Sequence, residues 1–186
     1  MNELTPLIDT LYRQAKQGEW PRVLDQWQAF PVLARRCSRY RKAGSNWGFL
    51  HQAAYFGRED ASRELIPLGA CLEARTQEGE TPDAIATRRG HTALGEWLAQ
   101  AAPKAGGHWK APTDPDIYPA SGHWHPCHAR RAKQGLLVGY GDSIVAIDAG
   151  QRYFVDAFER VLVGWHGTFD PPMDMGGWPL VNEDTH

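Results

Sequence analysis

Apolar residues recur at helical spacing through the first hundred positions, and then the period changes. Val23, Leu24 and Trp27 share one helix face, as do Leu65, Ile66 and Leu68, and again Leu94, Trp97 and Leu98. Glycines at 18, 44, 57, 69, 79 and 90 cut this half into short segments. The stretch Ala101-Ala-Pro-Lys-Ala-Gly-Gly107 reads as a break. Beyond Asp114-Pro-Asp-Ile-Tyr-Pro119 the apolar runs become short and β-branched: 136–140, 144–147, 152–155 and 161–165. Turn residues Gly141-Asp142-Ser143 and Asp148-Ala149-Gly150 separate the first three, the pattern of antiparallel hairpins. The tail from Asp170 to Pro179 is too rich in proline and glycine for regular structure, and Trp178 is expected to anchor it on the sheet.

The pattern predicts an α+β chain. A helical part spans 1–102, a linker 103–120, and a small antiparallel β-domain with an irregular tail 121–186. An SH3-like barrel is one form such a sheet can take.

The helical half repeats itself. A shift of 33 residues lays Gly57 on Gly90, Ala53 on Ala86 and Leu65 on Leu98. Leu50-His51 with Ala53-Ala54 in one copy, Gly79, Thr81, Pro82 and Ala86 in the next, and Leu65 with Gly69-Ala70 between them resemble the ankyrin repeat. Gly48-Phe49 stands where that pattern has Thr-Pro, and Asp83-Ala84 where it has Leu-His. A degenerate earlier copy runs from Leu11 to Gly18, with about six extra residues around Pro31–Lys42. Three copies are read, covering about 100 residues, near the minimum for a stacked core. Thr81-Pro82 is expected to cap and start a helix, and Gly57 and Gly90 to end the inner helices at positive φ. The resemblance implies that His51 is structural and bonds backbone.

It also implies a scaffold for protein recognition, whose concave face is built from turns and the exposed side of the inner helices. By position these residues are Gln52, Tyr55, Phe56, Ile85, Arg88 and Arg89, with Lys16 and Gln17 in the first copy. Asn46, Trp47, Gln77 and Glu78 fall at the rim. Aromatic residues beside arginine match the composition of interface hot spots. The run Ala34–Lys42 holds five cations, Arg39 and Arg41 among them, and reads as a solvated insertion, the functional alternatives being contact with an acidic protein partner or with nucleic-acid phosphate.

Composition narrows the function classes. The 186 residues carry a formal net charge of −2, which argues against a surface made to grip nucleic acid or anionic membrane. No apolar run approaches the ~18–20 residues of a membrane span. Three scattered cysteines make a disulfide framework improbable, and the start carries no secretory pattern, so a cytoplasmic protein is expected. Gly141-Asp-Ser143 mimics a hydrolase motif, but only 43 residues follow it and a hairpin turn explains it.

One stretch concentrates potential ligands: Gly122-His-Trp-His-Pro-Cys-His128. On a strand His123, His125 and Cys127 would share a face, with His128 beside them, and these are zinc ligand types. Pro126 interrupts the strand, no second Cys/His pair follows, and no carboxylate adjoins to act as base. No cofactor is therefore expected, zinc on these four residues being the alternative. Cys127 cannot use adjacent His128 as a base in the usual geometry. The expected function is binding and inhibition of a protein partner, in the manner of a bacterial immunity protein that occludes a toxin. A metal-using enzyme or sensor, or a two-partner adaptor, is the alternative.

Overall fold

The computed structural model describes residues 3–103 and 112–182, and the chain divides into two compact units, Met1–Ala102 and Pro103–His186. The first unit is helical: α1 Leu4–Lys16, α2 Trp20–Ala29, α3 Pro31–Arg39, α4 Phe49–Tyr55, α5 Glu59–Leu68, α6 Pro82–Arg88 and α7 Thr92–Ala101. The pairs α4–α5 and α6–α7 start 33 residues apart, at 49 and 82 and at 59 and 92. Gly57 at φ 65° and Gly90 at φ 86° end the inner helices α4 and α6, as expected. Pro82 opens α6, but the Thr81 hydroxyl makes no capping bond.

The run 34–42 is not a solvated insertion. Most of it lies in α3, which buries Leu33, Ala34 and Cys37 and packs against α5 while α1 packs against α4. The run was misread because its cations alternate with a buried stripe. Arg39 donates to the Leu68 carbonyl at 2.5 Å, tying α3 to the end of α5. An aromatic cluster fills the space behind: Trp27, Tyr12 and Tyr40 surround Phe49, with ring centroids 5.5–5.8 Å from it. Phe49, 1% exposed, is the centre of that cluster.

Gly69 ends α5 at φ 105°, and a β-carbon there would fall 1.7 Å from an Arg39 guanidinium nitrogen. Gly69→Ala should therefore cost about 2 kcal/mol, combining left-handed backbone strain with displacement of Arg39. A fall in the urea midpoint checks it, with no fall expected for Gly79→Ser, whose position is open, beyond its own φ penalty.

The second unit holds β1 Tyr118–Ser121, β2 Cys127–Arg131, β3 Leu136–Tyr140, β4 Ser143–Ile147, β5 Arg152–Asp156 and β6 Val161–Leu162. They form one six-stranded sheet in the order β2-β5-β6-β1-β3-β4. The sheet is mixed rather than antiparallel, because β1 pairs in parallel with both β3 and β6. The expected linker 103–120 thus ends inside the sheet; its residues 104–111 lie outside the described residues. Among the described residues the end strands β2 and β4 do not pair, so no closed barrel is seen. Two apolar clusters form its core. Ala120, Val138, Ile147, Val161 and Val163 make one, and Cys127, Phe154, Leu162 and Val181 the other.

Asp156, at the end of β5, is 1% exposed and ties the β5–β6 turn together. It accepts the Ser121 hydroxyl at 2.5 Å, the amides of Phe158 and Arg160 at 2.8 and 2.9 Å, and the Arg160 Nε at 3.0 Å. The tail is held by buried Pro171, Pro172 and Val181, and not by Trp178, which is 73% exposed. Asp174 instead accepts the amides of Gly176 and Trp178 and closes a local loop that turns the indole outward. Among the described residues no helix is long and apolar enough to cross a membrane.

Candidate functional site

The loops that precede α4 and α6 stack on each other. In the first, Arg41 bridges Gly48, Lys42 N donates to the Trp47 carbonyl, and Asn46 takes φ 60°. In the second, Thr76 N donates to the Glu80 carbonyl and Gly79 takes φ 84°. Asn46 and Gly79 are 33 residues apart, so asparagine, which tolerates the left-handed region, does glycine's work one repeat earlier. Gln77 N donates to the Ser45 carbonyl at 2.8 Å, and the Asn46 amide and Arg41 guanidinium both donate to the Arg75 carbonyl. Under the loops, Gly48 N donates to His51 Nδ1 at 3.0 Å, and His51 Nε2 bonds the Ala74 carbonyl at 2.9 Å. That arrangement requires the neutral ring protonated on Nε2, and burial pushes the His51 pKa down to about 4.

This frame holds Trp47 at the lip of a pocket. The pocket has a volume of about 320 Å³ and is lined by Tyr12, Lys16, Ser45, Trp47, Gln52 and Tyr55. Trp47 and Tyr55 meet edge to face, centroids 6.1 Å apart, and Arg89 lies over the Tyr55 ring at 4.2 Å. Gln52 donates to the Tyr12 hydroxyl at 3.0 Å and forms a polar floor. Burial raises the Tyr12 pKa, although the Gln52 bond and the Arg41 charge oppose it. Among the described residues Lys16 has no ion-pair partner, and none of the six lining residues is acidic.

The repeat register explains the arrangement. Lys16, Tyr55 and Arg88 each stand two residues before a glycine, at 18, 57 and 90. Lys16 and Tyr55 both line the pocket. Trp47 and Tyr55 in one repeat correspond to Glu80 and Arg88 in the next, where the pair is ionic, with Arg88 Nε and Nη2 at 2.7 and 3.0 Å from the Glu80 carboxylate. The same two positions thus present an aromatic pair in one repeat and a neutralised ion pair in the next.

Of the residues expected on this face, the structure brings together Trp47, Tyr55 and Arg89, with Phe56 beside Tyr55 at a 5.1 Å centroid distance and Arg88 in the adjacent repeat. Two assignments are corrected. Gln52, 5% exposed, reaches the face only as the floor of the pocket, and Ile85 is fully buried, because both occupy the position that faces the neighbouring helices. Arg39 and Arg41 are used inside the fold, on the Leu68 and Arg75 carbonyls, and are not a free cationic patch. Tyr12 and Ser45 were missed. Tyr12 lies six residues before Gly18 as His51 lies six before Gly57, so the repeat offset could have found it.

The His/Cys stretch is not gathered into one cluster. Residues 122–126 connect β1 to β2, and Pro126 precedes the strand. Cys127 is buried in the Phe154–Leu162 cluster, while His128, the next strand residue, is exposed on the opposite face. His123 donates its amide to Ser121 and sets its ring edge against Phe158, and His125 is exposed. Among the described residues no group of three or more His, Cys, Asp or Glu side chains is placed to hold a metal ion.

No protein-family model matches the chain. A calmodulin-binding transcription activator 3 of Arabidopsis thaliana is 29% identical over 116 residues, covering 51% of this chain. The match spans only 11% of that much longer relative.

Proposed function

We propose that the N-terminal unit is an ankyrin-like repeat stack and that the chain works by binding a protein partner rather than by catalysis. The observation that supports this best is the pocket walled by Trp47, Tyr55 and Tyr12, with Lys16 in its lining and Arg89 stacked on Tyr55. Pockets of about 300 Å³ and above suit small ligands or anchoring side chains. Here the walls are aromatic and the flanking groups are Lys16 and Arg89, so an apolar anchor bordered by carboxylates is the complement. Trp, Tyr and Arg are the residue types in which binding energy concentrates. The partner is therefore a protein with an acidic, apolar-centred segment, such as a toxin or other enzyme. Covering that segment would inhibit by steric occlusion, as an immunity protein inhibits its cognate toxin, in the cytoplasm.

The test is co-purification of a stoichiometric partner from the source cells, followed by affinity measurement on variants. Trp47→Ala and Tyr55→Ala should each weaken binding by about 2 kcal/mol, near thirtyfold. Lys16→Glu and Arg89→Glu should mainly slow association and reduce its salt dependence. Arg88→Glu is expected to act through like-charge contact with Glu80 and to matter less. Unchanged affinity in both aromatic variants, with unchanged melting curves, would remove the pocket from the interface.

A further inference from the structure

The two ends of the C-terminal sheet are built differently. At one end β2 exposes His128, Arg130 and Arg131, and Arg130 pairs with Glu159 at 2.6 Å. Charges on an edge strand oppose the docking of another strand. At the other end β4, Ser143-Ile-Val-Ala-Ile147, carries no charge.

Its hydrogen-bonding register is set by the hairpin turn. Gly141-Asp142 is a two-residue turn, so Tyr140 and Ser143 form a hydrogen-bonded pair and the pattern alternates from there. Ser143, Val145 and Ile147 direct their backbone groups to β3. Ile144 and Ala146 direct theirs outward, and among the described residues no backbone group bonds them. The same two residues are exposed on one face, Ile144 at 57%, with Leu137 of β3 opposite Ala146 and itself 46% exposed. At the two ends of this apolar strip stand exposed Asp142 and Asp148, neither in an ion pair among the described residues.

We propose that the β4 edge accepts an extended segment of a partner protein, paired to Ile144 and Ala146, with apolar side chains at alternate positions and a lysine or arginine at each end. Main-chain bonds supply affinity in this mode and alternate side chains supply specificity. The charges choose the occupant. In a second copy paired antiparallel about Val145, Asp142 would face the copy's Asp148 at both ends, and like charges set opposite each other are destabilising. A segment with basic ends meets the same carboxylates favourably. The proposal is independent of the pocket in the helical unit.

The probe is a blocked peptide, Lys-Thr-Val-Thr-Val-Thr-Lys, against a control with glutamate at both ends. With the whole chain, the lysine peptide should shift the amide NMR signals of Ile144 and Ala146 first and bind about tenfold more tightly than the glutamate peptide. Ala146→Pro should abolish binding without disturbing the hairpin, because that amide points away from β3. If Ala146→Pro lowers the melting temperature, Ile144→Lys serves in its place. Asp142→Lys with Asp148→Lys should reverse the peptide preference. Equal binding of both peptides, shifts confined to other strands, or binding that survives a folded Ala146→Pro variant would each overturn the proposal. So would a dimer of the unmodified chain that Ala146→Pro dissociates, which would assign the edge to self-pairing.

Discussion

Asp156→Ala should cost the C-terminal unit about 3–5 kcal/mol, because it leaves a buried guanidinium without its counter-charge. Arg160 is 7% exposed and its Nε rests on Asp156. Its Nη2 is buried with no hydrogen-bond partner among the described residues, and its guanidinium otherwise lies over the Phe158 ring. The same carboxylate also caps two amides of the turn and holds the Ser121 hydroxyl of β1. One side chain therefore secures the β5–β6 turn and the end of β1. Urea unfolding followed through the amide signals of Val155 and Val161 checks this. Asp156→Leu with Arg160→Met should recover only the part of the loss that comes from the stranded guanidinium, because the Phe158 and Arg160 amides and the Ser121 hydroxyl still lose their acceptor. The exposed pair Arg130–Glu159 provides the contrast, where Arg130→Ala should cost no more than ~1 kcal/mol. Equal effects of Asp156→Ala and Arg130→Ala would refute the distinction.

His51→Ala should destabilise the helical unit by about 3 kcal/mol, since it strands the Gly48 amide and the Ala74 carbonyl and opens a cavity. The same bonds make stability depend on pH. The folded pKa is about 4, below the ordinary 6.5, so the unfolded chain takes up a proton first as pH falls. The contribution is fully present above 6.5 and is lost as pH drops through the folded value near 4. Its full size is on the order of 3 kcal/mol. Urea midpoints at pH 7.5, 5 and 4 should fall for the parent chain. The His51→Ala variant should lack that part of the fall. A variant whose pH dependence matches the parent's would mean that His51 is not held neutral.

The helical half was largely legible because its signals are local and periodic. Gly57 and Gly90 mark helix ends, and the 33-residue offset places two helix pairs without reference to anything distant. What the offset could not give is which way a position faces. Gln52 and Ile85 occupy equivalent sites, and repeat position alone set both on the exposed face, where packing imposes burial. The charges of α3 failed for a related reason. Arg39 satisfies a carbonyl some thirty positions away, a partner no local pattern reveals. Strands β3, β4 and β5 were legible through their turns, and β1 was not. It is four residues long, contains Pro119, and owes its pairing entirely to strands distant in sequence.

That strand has a consequence for the order of assembly. Among the described residues β1 alone joins the trio β2-β5-β6 to the hairpin β3-β4. The hairpin can close early through its two-residue turn, on a timescale of about 1–10 μs. The seam closes through parallel pairings of β1 to β3 and to β6, which no two-residue turn can set up. Non-local pairings of this kind slow folding more than they raise stability. The four residues from Tyr118 to Ser121 thus decide, among the described residues, whether the unit is one sheet or two partial sheets with open edges.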